Sequence, residues 1–123
     1  MYDPADPVPT CGGNLVMPGQ FPAGPKDQAT VQSRPDMFVF STPVLTEDLE
    51  ITCKVAPELF AATDEPTTDW VVTLCDVDEN GVSANIVDGI TRGTTEADRA
   101  NKADISLWST SIVVKPAIVF KCK

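Results

Sequence analysis

The sequence contains no histidine. Every mechanism that needs an imidazole is therefore excluded from this chain: a Ser-His-Asp triad, a Cys-His pair and a His-ligated metal. Paired cysteines are missing too. Cys11, Cys53, Cys75 and Cys122 form no Cys-x-x-Cys spacing, which argues against a zinc ribbon or a thioredoxin-type site. Basic side chains are scarce, with 9 Lys and Arg against 18 Asp and Glu and a net charge of −9. Such a chain suits neither the phosphates of nucleic acid nor an anionic membrane surface. No apolar run approaches the roughly 20 residues that span a bilayer. Residues 1–24 have neither a basic n-region nor an apolar h-region, so no signal peptide is read there and a cytoplasmic location is the default. Without export, disulfides are not expected. Cys53, Cys75 and Cys122 lie in apolar patterns and are expected as buried free thiols.

What remains is an ordinary folded composition. The 123 residues suffice for one domain, and 42% hydrophobic with 22% charged residues supports a core. Eleven prolines disfavour an all-helical fold. Seven of them, with four of the seven glycines, fall in the first 35 residues, where apolar periodicity is absent. Residues 1–35 are read as an extended lead-in laid over a surface, and residues 36–123 as the folded domain.

From Asp36 the pattern is β. Met37-Phe38-Val39-Phe40 is a short apolar strand between Pro35 and Pro43. Leu49, Ile51, Cys53 and Val55 alternate with polar residues, placing one face inward and one in water. Leu59-Phe60-Ala61 resumes after Pro57. Trp70 to Val77 is apolar on both faces and reads as a central strand. Asn80-Gly81 signals a hairpin, with a return strand over residues 82–87. Residues 89–102 read as a polar connection, with a helical turn at 96–102. Ile105 and Leu107, then Ile112-Val113-Val114, then Ile118, Phe120 and Cys122 complete the series. Six or seven short strands without a long helix predict an all-β sandwich.

Few residues suggest chemistry. Asp76-x-Asp78-x-Asn80-Gly81 opens like a calcium loop, but Val87 stands where the bidentate Glu belongs and strands flank it. A hairpin turn accounts for the same residues. Asp64, Glu65 and Asp69 could pair for acid–base work, yet Pro66 and two threonines among them describe a solvated loop. Trp70 and Trp108 could stack on a sugar ring, although Trp70 sits better at the edge of a core. No G-x-S-x-G elbow is present, and Gly12-Gly13 leads into no helix that could cradle a phosphate. No catalytic, metal-ligating or cofactor-binding residue is assigned.

Tyr2-Asp3-Pro4-Ala5-Asp6-Pro7-Val8-Pro9-Thr10, followed by Gly12-Gly13, resembles the entry into the C-terminal domain of the cocaine esterase / X-Pro dipeptidyl-peptidase group of serine hydrolases. The resemblance continues through Gly24-Pro25-Lys26-Asp27-Gln28, Arg34-Pro35-Asp36 and Leu45-Thr46-Glu47-Asp48-Leu49-Glu50-Ile51-Thr52. It runs on through Asp69 to Val77, Asn85-Ile86-Val87-Asp88-Gly89-Ile90 and Leu107-Trp108-Ser109-Thr110-Ser111. These segments keep the family's order and cover most of the chain.

The resemblance implies a jelly-roll β-sandwich of galactose-binding-domain type that carries no catalytic residue. In that family a separate α/β-hydrolase domain supplies Ser, Asp and His, and the jelly roll packs against it. Family chains also continue beyond the position of Pro116 with further strands. The implied domain is therefore incomplete at its C-terminus and free-standing. An unfinished sheet edge invites pairing, so a homo-oligomer is expected, with a hydrolase catalytic domain as the alternative partner. A carbohydrate- or small-ligand-binding module, and an accessory subunit of a hydrolase encoded elsewhere, are the competing functions.

Overall fold

The structure is a computed structural model that describes residues 3–14, 19, 23–52, 55–59, 67–93, 103–104, 111–114 and 118–122. Among them one short helix, α1 (Ala29–Gln32), precedes the strands β1 (Phe38–Ser41), β2 (Leu49–Thr52), β3 (Glu58–Leu59), β4 (Thr68–Val77), β5 (Ser83–Gly93), β6 (Ala103–Asp104), β7 (Ser111–Val114) and β8 (Ile118–Cys122). The described chain is mostly strand with a single turn of helix, and the fold class is all-β.

The largest sheet has the order β1-β8-β4-β5, and every neighbouring pair is antiparallel. β2 pairs with β7, and β3 with β6, as two-stranded ladders. The run read as apolar on both faces becomes β4, which lies between β8 and β5. Asn80-Gly81 forms the turn that joins β4 to β5, with Gly81 at φ +83°. The return strand is longer than the pattern suggests. It continues through Gly89 to Gly93, because the ladder with β4 holds as far as the pair Thr68↔Gly93. Backbone pairing overrides the weak side-chain signal there. The helical turn expected at 96–102, the Ile105/Leu107 strand face, Phe60, Ala61 and Cys53 lie outside the described residues.

Between β4 and β5 the register shifts. Leu74 pairs with Val87, but Cys75 pairs with Asn85, so Ile86 is one residue too many. This bulge has a geometric consequence. In a regular strand Asn85 and Val87 would share a face. The extra residue puts Val87 on the face of Leu74 and Asn85 on the face of Cys75. Both faces are covered here. Val72, Leu74 and Val87 are only 1–2% exposed, and Cys75 on the opposite side is 0% exposed.

The alternation in β2 is only half expressed as burial. Ile51 is half-buried while Leu49 is exposed. Among the described residues β2 has a strand neighbour on one side alone. β1 is more exposed still. By register Phe40 shares a row with Leu74, and Phe38 with Val72. Yet Phe38 is 66% and Phe40 55% exposed, because β1 is the outer strand of its sheet. Among the described residues no helix is long and apolar enough to cross a membrane.

Burial separates two tests. Leu74→Ala empties a site that cannot refill from solvent and is expected to cost about 2–5 kcal/mol. In dilute, unassociated chain Phe40→Ala is expected to change stability by less than about 0.5 kcal/mol, as at other exposed positions. Urea unfolding of the two variants at equal slope checks the contrast. Equal losses would show that Phe40 is covered in solution.

Candidate functional site

The lead-in is stitched to the start of β5. Its backbone pairs antiparallel there, with Asp27 opposite Ala84. Gln28 N–H donates to the Ser83 carbonyl at 2.8 Å, and Asn85 N–H to the Lys26 carbonyl at 3.2 Å. Side chains reinforce the join. Asn85 Oδ1 accepts from Lys26 N–H at 2.7 Å and from Gln28 Nε2 at 3.3 Å. Gln28 Nε2 also donates to the carbonyls of Cys11 at 2.8 Å and Lys26 at 3.1 Å. Gln28 and Asn85 are each 5% exposed, so water competes little for these bonds.

Asp27 and Gln32 extend the stitch along the chain. Asp27 Oδ1 accepts from Ala29 N–H at 3.0 Å and from Ser83 N–H at 3.2 Å, which starts α1 against β5. From that helix Gln32 Nε2 donates to Ser83 Oγ at 2.7 Å, and Val31 is buried.

Glycine is required where the two strands of the lead-in cross. Gly13 and Gly24 exchange backbone hydrogen bonds at 2.9 and 3.0 Å. A Cβ on Gly12, whose φ is +69°, would stand 2.4 Å from the Gly24 carbonyl oxygen and 3.0 Å from Asn85 Oδ1. No side chain fits there.

Arg34 closes the lead-in at its other end. Its Nε and Nη2 donate to the two carboxylate oxygens of Asp36, both at 2.9 Å. Nη2 also reaches the Asp6 carbonyl at 2.8 Å, and Nη1 lies 3.2 Å from Asp6 Oδ2. The guanidinium holds the Asp36 carboxyl below its usual value, and the two aspartates raise Arg34 in return, Asp36 first.

The residues singled out for chemistry have structural employment. Asp78 Oδ1 accepts from Val82 N–H at 2.8 Å and Asn80 N–H at 2.9 Å, which lowers its pKa and braces the hairpin turn. The carboxylate that would ligate calcium is occupied by its own turn. Among the described residues no group of three Cys, Asp or Glu side chains is placed to hold a metal. Asp69 sits opposite Arg92 in the β4–β5 ladder and accepts from its guanidinium at 2.6 and 2.7 Å. Asp64, Glu65 and Trp108 lie outside the described residues, so no carboxylate cluster or two-tryptophan platform can be assembled from them. Trp70 is half-buried in β4. Cys75 and Cys11 are in no disulfide: buried Cys75 accepts from Gln32 Nε2 at 3.7 Å, and half-buried Cys11 donates through Sγ to the Asp27 carbonyl at 3.6 Å.

Beside the stitch a cleft of about 290 Å³ opens between the lead-in and the β4–β5 face, with Gly13, Val31, Met37, Val71, Asn85 and Asp88 among its walls.

Residues 2–116 match the family described as the X-Pro dipeptidyl-peptidase C-terminal non-catalytic domain. The chain belongs to this family. It is 40% identical over 92 residues to the cocaine esterase of Rhodococcus sp. (strain MB1 Bresler), a stretch covering 75% of this chain and 16% of that protein. Two solved structures share its fold. They are an aminopeptidase from a marine sediment Thaumarchaeota archaeon and a selenomethionine-labelled α-amino acid ester hydrolase. Each has a TM-score of 0.68 and 24% identity over 80% of this chain and 20% of the other. The chain thus spans about a fifth or less of the relatives it matches.

In this X-Pro dipeptidyl-peptidase C-terminal domain, several of the segments that carry the resemblance build the stitch. Gly12 and Gly13, Gly24 to Gln28, Arg34 with Asp36, and Asn85 all belong to it. The sequence reading quoted them without assigning them a role. Two of them, Gln28 and Asn85, carried a usable signal: amides placed where apolar residues are usual in a core.

Two outcomes follow for the family member. Asn85→Ala leaves the Lys26 N–H and the Gln28 amide without their acceptor, at an expected cost of about 1–3 kcal/mol. Limited proteolysis should then cut the lead-in before the sheet, and unchanged protection would show that the stitch does not hold it. The second outcome concerns acid. Asp36 and Asp78 have pKa values below the ordinary 3.8, so their stabilisation is complete above that value and lost as pH falls through the lowered ones. The thermal midpoint should fall steeply from roughly pH 4 downward, and Asp36→Asn should flatten that fall while lowering the midpoint at pH 7.

Proposed function

We propose that this chain acts as a non-catalytic structural and interaction module that associates with a second copy of itself along β1. The observation that carries this reading is the state of that strand. Phe38, Val39 and Phe40 are 66%, 41% and 55% exposed at the open edge of the four-stranded sheet. Residues 37–42 carry no charge and no proline. Exposed edges are ordinarily guarded by lysine, proline, a bulge or a covering segment. The opposite edge, β5, is covered by the lead-in at Ser83 to Asn85, and β1 has no such cover among the described residues. An antiparallel pairing of β1 with its copy would satisfy the free backbone groups and cover the three side chains. The burial of Val72, Leu74 and Val87 further supports a two-layer jelly roll, with the smaller ladders backing the main sheet.

Sedimentation velocity at tens of micromolar tests the association. A dimer is expected for the native sequence and a monomer for Val39→Glu, whose register neighbour is Lys121. A native monomer, or a dimer that survives the substitution, overturns the pairing. Purified chain should hydrolyse 4-nitrophenyl acetate no faster than buffer, since no imidazole is available to activate a nucleophile.

The fraction of its relatives that the chain represents favours a second reading, an accessory module seated on a hydrolase catalytic domain. In that case co-expression with such a domain lacking its own C-terminal module would yield a stable heteromer in place of the self-paired form.

A further inference from the structure

We propose that the cleft between the lead-in and the β4–β5 face binds a neutral polyol of about one sugar ring, held by the Asp88 carboxylate and the Asn85 amide. The proposal is independent of the edge pairing, because the cleft lies against β5 and the open edge is β1.

The amide of Asn85 is fixed in orientation. Lys26 N–H and Gln28 Nε2 both donate to its Oδ1, so Nδ2 is turned the other way. The residue is 5% exposed, and among the described residues Nδ2 has no hydrogen-bond partner in the protein. That N–H is therefore free to donate to a molecule in the cleft, which Asn85 lines. Nor does Asp88, at the cleft margin, pair with any side chain among the described residues. The bulge at Ile86 brings the two together, since Asn85 and Asp88 would point to opposite faces of a regular strand. The space between them is held open by Gly13, whose φ is +92°. The point where a side chain on Gly13 would begin lies 3.4 Å from Asp88 Oδ1 and 3.7 Å from Asn85 Nδ2.

A donor and a charged acceptor therefore line the cleft beside the side-chain-free Gly13, with Val31, Met37 and Val71 as apolar walls. The chemistry selects the ligand. A carboxylate takes hydroxyl protons, and an amide N–H needs a lone pair. Adjacent hydroxyls on one ring supply both, and the ring's C–H face suits the apolar wall. An anion is repelled by Asp88 and by a net charge of −9. An ammonium group offers nothing to the Asn85 N–H. The volume of about 290 Å³ sits at the small end for ligand pockets and suits one ring rather than a chain of them.

Amide NMR titration of the full chain with glucose, galactose and mannose tests the site, with glucuronate as the anionic probe. At least one neutral sugar should give saturable shifts at Gly13, Asn85 and Asp88 in the millimolar range. Asp88→Ala should weaken binding about tenfold or more, with the thermal midpoint unchanged, because a charge-assisted hydrogen bond is lost. Asp88→Asn, which keeps the volume, should weaken it less. The proposal is overturned if no sugar saturates up to about 50 mM. Equal affinity in Asp88→Ala, or glucuronate binding as tightly as the neutral sugars, also overturns it.

Discussion

One buried amide joins the two parts of this chain. Asn85 Oδ1 receives the Lys26 N–H and the Gln28 side chain, and Gln28 in turn reaches the carbonyl of Cys11. Through that oxygen and the Gln28 amide, three stretches are joined: residues 26–28, Cys11 and the start of β5. The number of bonds is small for the length of chain they order. Proline makes this sufficient, since its fixed φ removes much of the freedom that ordering would otherwise cost. With seven of eleven prolines in the first 35 residues, the lead-in is restricted before it docks. Gly12 contributes the opposite property, because only a residue without a side chain passes between Gly24 and Asn85.

The stitch depends on a defect in the ladder. Without the extra residue at Ile86, Asn85 would share the face of Val87, and its amide would enter the apolar side of the sheet with no backbone to bind. With it, the strand presents Val87 to the core and Asn85 to the lead-in. Alternation along residues 83–87 breaks at Ile86-Val87, but two adjacent apolar residues equally describe a strand covered on both faces, so period-two reading does not single out a bulge. What the sequence did disclose were elements whose signal is local: β4 from its two-sided apolar run, the turn from Asn80-Gly81, and β7 and β8 from their short apolar stretches. The far end of β5 was illegible for the complementary reason. Gly89 to Gly93 is strand because β4 lies beside it, and Asp69 opposite Arg92 is a contact between residues distant in sequence. The candidate cleft was hidden in the same way, as its donor and acceptor meet only through the bulge.

The same stitch divides the sheet's edges into two kinds. At β5 the lead-in supplies a further strand-like segment and takes up the backbone groups of Ser83 and Asn85. At β1 the pattern ends on two phenylalanines whose row in the sheet is that of Leu74 and Val72. A side chain on a core row that remains more than half exposed marks a surface whose cover is not part of the described chain. The asymmetry follows from where the prolines fall. Pro35 and Pro43 bracket β1 without entering it, so they limit the strand's length but leave its edge able to donate and accept.

Docking of the lead-in and occupancy of the cleft are bound to each other by construction. One wall of the cleft is lead-in and the other is sheet, so the cavity exists only while the stitch holds. A molecule that fits the cleft binds the docked form and not the undocked one, and must therefore stabilise docking by mass action. The reverse holds with equal magnitude, since a substitution that frees the lead-in lowers affinity by the population it removes. Charge works in the same direction. The Arg34–Asp36 pair fixes the lead-in where it enters β1, so protonating Asp36 loosens one wall of the cleft. Acid therefore weakens the site through its framework. A fold that spends its few cations on pinning anions in place is built to operate with those anions ionised.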